Sequence, residues 1–241
     1  MLGIILAGGN GTRFDENGCC KSLLKINGKS LIEYALDNLI AMNVDKAIIV
    51  VGKYRDEIKA ALGTEYHGIA LNYALQETPM GCIHALYCAM TNWNGETVVL
   101  QLSDEIYCGF NARAVEMASD VDFACGYITV KNNEEVKENY SIFCDGDSDR
   151  LVRCEEKSMN AGNNKKGTGL CIFNPACMSL LKNRYAYAGD HFVSLCDFMN
   201  NLIADGKKGL AIPIADEEIN INTPEKLEYA KQALKRRNEH E

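Results

Sequence analysis

The stretch Gly3-Ile-Ile-Leu-Ala7-Gly-Gly-Asn-Gly-Thr-Arg13-Phe14 decides how the rest of the chain is read. An uninterrupted small and apolar run leads straight into glycines, the pattern of a buried strand that ends in a loop. Glycine has no Cβ, so such a loop can turn its backbone N–H groups inward against phosphate oxygens. Arg13 and, eight residues on, Lys21 of Lys21-Ser-Leu-Leu24 add the positive charge that a polyphosphate needs. An ordinary strand-to-helix turn accounts for the glycines but not for the two cations. A P-loop requires glycine immediately before its lysine, where this chain has Cys20, and the dinucleotide fingerprint G-x-G-x-x-G fails at Phe14.

Working outward, short apolar β-branched runs alternate with amphipathic stretches. Strands are expected at Gly3 to Ala7, Ala47 to Val51, Ile69 to Leu75 and Thr97 to Leu102, with helices at Leu31 to Ala41, Arg55 to Leu62 and about Gly81 to Met90. Such connections cross over and pair strands in parallel. The expected architecture is therefore α/β: a Rossmann-like, mostly parallel sheet with helices on both faces and ligands at the carboxyl ends of its strands. After Val121 to Val130 the alternation breaks into polar sequence, and two short runs flanking Asp145-Gly-Asp-Ser-Asp149 read as an inserted β-hairpin. A second polar stretch, Lys157 to Lys166, precedes a strand at Leu170 to Phe173, and the chain closes with helix, strand and helix. Thr223 can cap the last helix and Pro224 suits its first turn, while Lys235 to Glu241 reads as its frayed end. At 241 residues, with no internal repeat or low-complexity linker, one domain spanning residues 1–241 is expected.

Charge narrows the partners. With 25 Lys and Arg against 33 Asp and Glu, the formal net charge of -8 offers no basic surface for DNA or RNA, so the positive charge that matters is local. Neither a basic leader nor a bilayer-length apolar run is present, and a cytoplasmic protein without membrane contact is expected. The 11 cysteines are odd in number, irregularly spaced and without a C-x-x-C pair, which reads as reduced thiols. Cys19 and Cys20 lie beside the glycine loop, where exposure would make them reactive.

The opening G-G-x-G-T-R with its following lysine resembles the signature of the nucleoside-diphosphate-sugar pyrophosphorylases, the sugar-1-phosphate nucleotidyltransferases. Further matches follow in order along nearly the whole chain. Gln76-Glu-Thr-Pro79-Met-Gly81 is similar to the Q-x-x-P-x-G by which glucose-1-phosphate thymidylyltransferases and uridylyltransferases read a pyrimidine, and Gly81-Cys-Ile-His84-Ala resembles the uridylyltransferase G-x-x-H-A. A glutamine amide offers both donor and acceptor to a base edge; His84 alone reads as a packing residue. Ser103-Asp104-Glu105 stands where the family carries G-D, with Asp104 matching the magnesium aspartate. Glu155-Glu156-Lys157 and Gly167-Thr-Gly169-Leu resemble E-E-K-P and T-G-L-Y, which line the acceptor pocket. Asn220-Ile-Asn222-Thr-Pro-Glu replaces D-I-D-T-P, so that Asn220 matches a second metal aspartate, and it also resembles the corresponding end of molybdenum cofactor guanylyltransferases.

The resemblance implies an enzyme of nucleotide-sugar biosynthesis whose acceptor phosphate attacks the α-phosphorus of a nucleoside triphosphate and expels pyrophosphate. Alignment and charge stabilisation then suffice without a strong general base. It implies that Leu6, Ala7, Gly8, Gly9, Gly11, Thr12, Arg13, Lys21, Gln76 and Gly81 bind the nucleotide, with Arg13 and Lys21 catalytic. Glu156, Lys157 and Gly169 would hold the phosphorylated acceptor, and Asp104 and Asn220 would hold Mg²⁺; a homo-oligomer is compatible. Three rivals stand beside this reading. The first changes the acceptor, to phosphocholine or another alcohol phosphate with CTP, or to molybdopterin with GTP. The second is a non-catalytic regulatory module, suggested by Ser103 and Asn220. The third is a glycosyltransferase using Asp145-Gly-Asp147 as D-x-D.

Overall fold

In the computed structural model, residues 1–9, 19–113, 121–157, 162–188 and 194–238 are described. The strands are β1 (Leu2–Ala7), β2 (Lys25–Ile26), β3 (Lys29–Ser30), β4 (Lys46–Val51), β5 (Glu65–Tyr66), β6 (Ile69–Leu75), β7 (Val98–Leu102), β8 (Glu105–Cys108), β9 (Phe123–Thr129), β10 (Tyr140–Cys144), β11 (Leu151–Glu156), β12 (Lys165–Phe173), β13 (Gly209–Pro213) and β14 (Glu217–Asn220). The helices are α1 (Leu31–Ala41), α2 (Arg55–Leu62), α3 (Cys82–Ala89), α4 (Pro175–Ala188), α5 (Leu195–Ala204) and α6 (Pro224–Asn238).

A 10-stranded mixed sheet runs β11-β10-β12-β7-β1-β4-β6-β5, with β9 paired to β12 and β13 to β9 off this path. Its centre, β7-β1-β4-β6, is parallel, as the alternating apolar runs predict. Every residue of β1 is buried, which a strand covered on both faces requires. Ile4 faces a cluster that includes Ile83 and Leu86 of α3, Met178 of α4 and Phe198 of α5; its neighbour Ile5 faces Leu36 and Leu39 of α1 and Ile58 of α2. Helices thus cover both faces. The ends of these helices follow local chemistry: the Glu33 carboxylate reaches back to the Ser30 N–H at 2.6 Å, and Thr223 Oγ1 accepts from the Lys226 N–H at 3.3 Å.

Beyond β7 the sheet turns antiparallel. β12 has β9 along one edge and divides the other between β7 and β10. β10 and β11 form the expected hairpin around Asp145 to Asp149. Two expectations need correction. β12 begins at Lys165, inside the stretch read as polar and irregular, because Lys166 is buried in an ion pair with Glu218. The chain also closes with α4, α5, β13, β14 and α6 rather than helix, strand and helix; β14 pairs with β8 as a separate antiparallel ribbon packed on α6.

Candidate active site

The carboxyl ends of β1, β6 and β7 converge. Leu6 and Ala7 are buried at the end of β1, and the Leu6 carbonyl accepts from the Ser103 N–H at 3.2 Å just past β7. Gly8 follows, buried against Gln76: a Cβ on Gly8 would lie 2.8 Å from Gln76 Oε1, so only glycine allows this approach. Gly9 is exposed. Gln76 is itself buried, and its Nε2 donates to the Gly81 carbonyl at 3.1 Å and to His84 Nδ1 at 3.0 Å. Gly81 caps α3 at φ 92° and ψ 179°, a conformation that a side chain would strain. The expected nucleotide residues Gly11, Thr12 and Arg13 lie outside the described residues.

Lys21 opens a 3₁₀ turn and reaches across to two distant loops. Its Nζ donates to Asp104 Oδ2 at 2.5 Å and to Asn222 Oδ1 at 2.8 Å. Ser22 and Ser103 share a hydroxyl hydrogen bond of 2.8 Å, which gives the serine standing in place of glycine a physical role. The Asp104 carbonyl accepts from the Ile221 N–H at 2.9 Å, fastening this loop to the segment that carries Asn222. Sequence reasoning named Asn220 and passed over Asn222. Asn220 lies at the end of β14 opposite Glu105, and its Oδ1 is fully enclosed with no hydrogen-bond partner among the described residues.

Glu105 was missed because the reading stopped at Asp104. It is almost fully buried, and its Oε2 accepts from the Gly169 N–H at 2.8 Å and from the Tyr107 hydroxyl at 2.5 Å. Burial above all, then the neighbouring Glu218, pushes its carboxyl up to about 8. Glu218 is also raised by burial, against the opposing pull of Lys166, whose Nζ sits 2.9 Å from Glu218 Oε2. The Gly169 N–H is thus already engaged by the protein, and a Cβ there would lie 2.3 Å from Leu102 Cγ and 2.9 Å from Glu105 Oε2.

Cys82 is the first residue of α3. Burial above all, with smaller contributions from the charges of Asp104, Glu105 and Glu156, pushes its thiol up to about 11. Glu156 and Lys157 are exposed at the end of β11, and the Lys157 N–H donates to the Asn139 carbonyl at 3.2 Å. Asp145-Gly-Asp147, the D-x-D alternative, turns the hairpin at the end opposite Glu156. All 11 cysteines are free; Cys19 is exposed, whereas burial raises the Cys20 thiol and works against a reactive thiolate there.

No cluster of three or more His, Cys, Asp or Glu side chains that would hold a metal occurs among the described residues. The oxygens beside Lys21 are one carboxylate and one amide, which suits a hard cation that takes one or two carboxylates and completes its shell with water and substrate phosphate. The orphaned Asn220 Oδ1 fits the same use, since an enclosed acceptor without a donor costs about 1–3 kcal/mol.

A glycine-cornered, cation-bearing cleft at the carboxyl ends of a largely parallel sheet defines a nucleotide-handling enzyme. Residues 2–218 match the nucleotidyl transferase family, and the chain belongs to it. It is 24% identical over 241 residues to the UTP–glucose-1-phosphate uridylyltransferase AglF of Haloferax volcanii, covering 97% of this chain and 96% of the relative. It is 28% identical over 189 residues to the D-glycero-alpha-D-manno-heptose 1-phosphate guanylyltransferase of Aneurinibacillus thermoaerophilus, covering 75% and 79%. A UDP-glucose pyrophosphorylase complexed with UDP-glucose superposes with a TM-score of 0.84 at 18% identity, covering 98% of each chain. The inositol-1-phosphate CTP transferase of T. maritima gives 0.79 at 16%, covering 96% and 93%. At these identities the two structures speak for the fold. Among the described residues no helix is long and apolar enough to cross a membrane.

Proposed function

We propose that this enzyme joins a nucleoside triphosphate to a sugar 1-phosphate. An oxygen of the sugar phosphate attacks the α-phosphorus in line, the bond to the β-phosphate breaks, and pyrophosphate carries away the electron pair. The observation that supports this most is the Lys21 ammonium, held between Asp104, just past the carboxyl end of β7, and Asn222, just past β14. Lys21 supplies charge to the α-phosphate and Arg13 to the β- and γ-phosphates. The backbone of Gly8, Gly9, Gly11 and Thr12 lines the triphosphate, and Gln76 with Gly81 faces the base. Glu156 accepts from acceptor hydroxyls, and Lys157 pairs with the acceptor phosphate. Gly169 shapes the pocket wall through its missing side chain, its N–H being committed to Glu105. Asp104 with the Asn220 amide oxygen would hold a divalent cation, Mg²⁺ by its oxygen donors, which when bound neutralises charge on the triphosphate. The chemistry needs no general base, because a phosphate acceptor is already nucleophilic.

Pyrophosphate release with each of UTP, dTTP, CTP and GTP, against glucose 1-phosphate, other sugar 1-phosphates, phosphocholine and inositol 1-phosphate, tests the proposal. Release confined to sugar 1-phosphates supports it. Release only with an alcohol phosphate, or with none of these acceptors, overturns it.

A further inference from the structure

His84 sits in the first turn of α3, where sequence reasoning left it as a packing residue. The structure gives its ring a specific task. Its Nδ1 lies 3.0 Å from Gln76 Nε2, and its Nε2 lies 3.7 Å from Cys88 Sγ. An amide nitrogen can only donate, so Nδ1 accepts and the ring hydrogen belongs to Nε2, directed at the sulfur. The second hydrogen of Gln76 Nε2 goes to the Gly81 carbonyl. Both donors of this side chain are therefore spent inside the protein. What Gln76 offers outward is its carbonyl oxygen, and Oε1 points to Gly8, 2.8 Å from where a Cβ on that residue would be.

A free glutamine is ambidextrous. Rotating its amide by half a turn exchanges donor for acceptor at little intrinsic cost, and a free Gln76 would serve uracil and cytosine alike. In this protein the rotation would set Oε1 against two acceptors, the Gly81 carbonyl and the His84 Nδ1 lone pair. We propose that His84 is a positioning residue for base recognition: together with the Gly81 carbonyl it holds the Gln76 amide with its oxygen toward the nucleotide, so that the site selects a base presenting a ring N–H, as uracil and thymine do at N3, over cytosine, whose N3 is an acceptor. The inference rests on the nucleotidyl-transfer reading and on Gln76 facing the base. It adds what decides which way Gln76 faces. The named relatives use different bases, so ancestry leaves this choice to local chemistry.

The test is equilibrium binding of UTP, dTTP and CTP to the full-length protein with Mg²⁺ and no acceptor, so that the unidentified sugar phosphate does not enter. The wild type is expected to bind UTP and dTTP roughly 10-fold or more tighter than CTP, the scale on which one matched against one mismatched hydrogen bond discriminates. His84→Ala removes one of the two acceptors and leaves the Gly81 carbonyl as the remaining hold on the amide, so the preference for UTP and dTTP over CTP should shrink by roughly 3-fold or more. His84→Asn places an amide oxygen near the position of Nδ1 and should recover most of the preference. A histidine that only packs would weaken all three triphosphates together, and an unchanged ratio in a folded His84→Ala protein overturns the inference. So does a wild type that prefers CTP. A wild type that binds no triphosphate fails differently, because it removes the nucleotidyl-transfer reading itself.

Discussion

Replacing Lys21 by Met should tighten the binding of a divalent cation to the free enzyme even as it removes most of the activity. Lys21 Nζ contacts Asp104 Oδ2 at 2.5 Å, and the two side chains are 15% and 23% exposed. A cation taking that carboxylate has to displace the ammonium. A hydrogen bond to a charged group contributes about 1.5–3 kcal/mol; partial solvent screening at this exposure lowers it to about 1–2 kcal/mol. Met keeps the length and apolar stem of lysine and removes the competing charge, so Mg²⁺ or Mn²⁺ should bind roughly 5- to 30-fold tighter without nucleotide. In pyrophosphate release the same variant loses a charge aimed at the reacting phosphate, and kcat should fall by about 10²- to 10³-fold. Calorimetric titration with each metal, beside the release assay, reads the two effects separately. Cation affinity that is unchanged or weaker in a folded Lys21→Met protein would refute the assignment of Asp104 to the metal.

Asn220→Asp puts a carboxylate opposite Glu105 and on the same strand face as Glu218; the protein should be less stable without a cation, recover with Mg²⁺, and reach half-maximal rate at lower Mg²⁺. A Mg²⁺ titration that does not move would separate Asn220 from the ion. Lys166→Met leaves Glu218 buried without its partner and should cost about 3–5 kcal/mol in urea denaturation near pH 8. Burial already holds the Glu218 carboxyl above its ordinary value, and losing Lys166 raises it further, so the folded state keeps a proton that the unfolded state has released. The penalty is therefore small below the ordinary glutamate range and grows as pH rises through the folded value; a cost that does not vary with pH would contradict this. Gly169→Ala drives a Cβ into Leu102 and Glu105 and should destabilise the fold by about 1–3 kcal/mol while raising the acceptor KM, both read from the purified variant.

The parallel half of the fold was legible because its strands are covered on both faces and so appear as unbroken apolar runs. Helix starts were legible too, since Thr223 and Pro224 act within one turn of chain. The antiparallel half was harder. The first residues of β12, Lys165-Lys166-Gly-Thr, look like surface, and only the approach of Glu218 from β14 makes them interior. β8 and β14 each read as fragments until they pair. At the candidate site, the motifs and the family resemblance pointed to Lys21, Asp104 and Gln76, and the structure joins Lys21 to Asp104 and buries Gln76 against Gly8. Asn222, Glu105 and His84 escaped because their roles are defined by partners that no local window contains.

The two departures from the family pattern bear on each other. Ser103 in place of glycine bonds to Ser22, and the Asp104 carbonyl accepts from the Ile221 N–H, so the turn carrying Lys21, the loop carrying Asp104 and the segment carrying Asn222 are fastened by contacts besides those of the Lys21 ammonium. A second aspartate at Asn220 would sit among Glu105 and Glu218, both already pushed toward the neutral form by burial. With asparagine there, the strand keeps an oxygen donor without adding a third carboxylate to this buried group. Fixed donors gain most when the charge they meet develops only during reaction. On the proposed reading, the serine at 103 and the asparagine at 220 leave Asp104 and the substrate's own phosphates to supply the charge that a divalent cation needs, and neither residue breaks the network that holds Lys21.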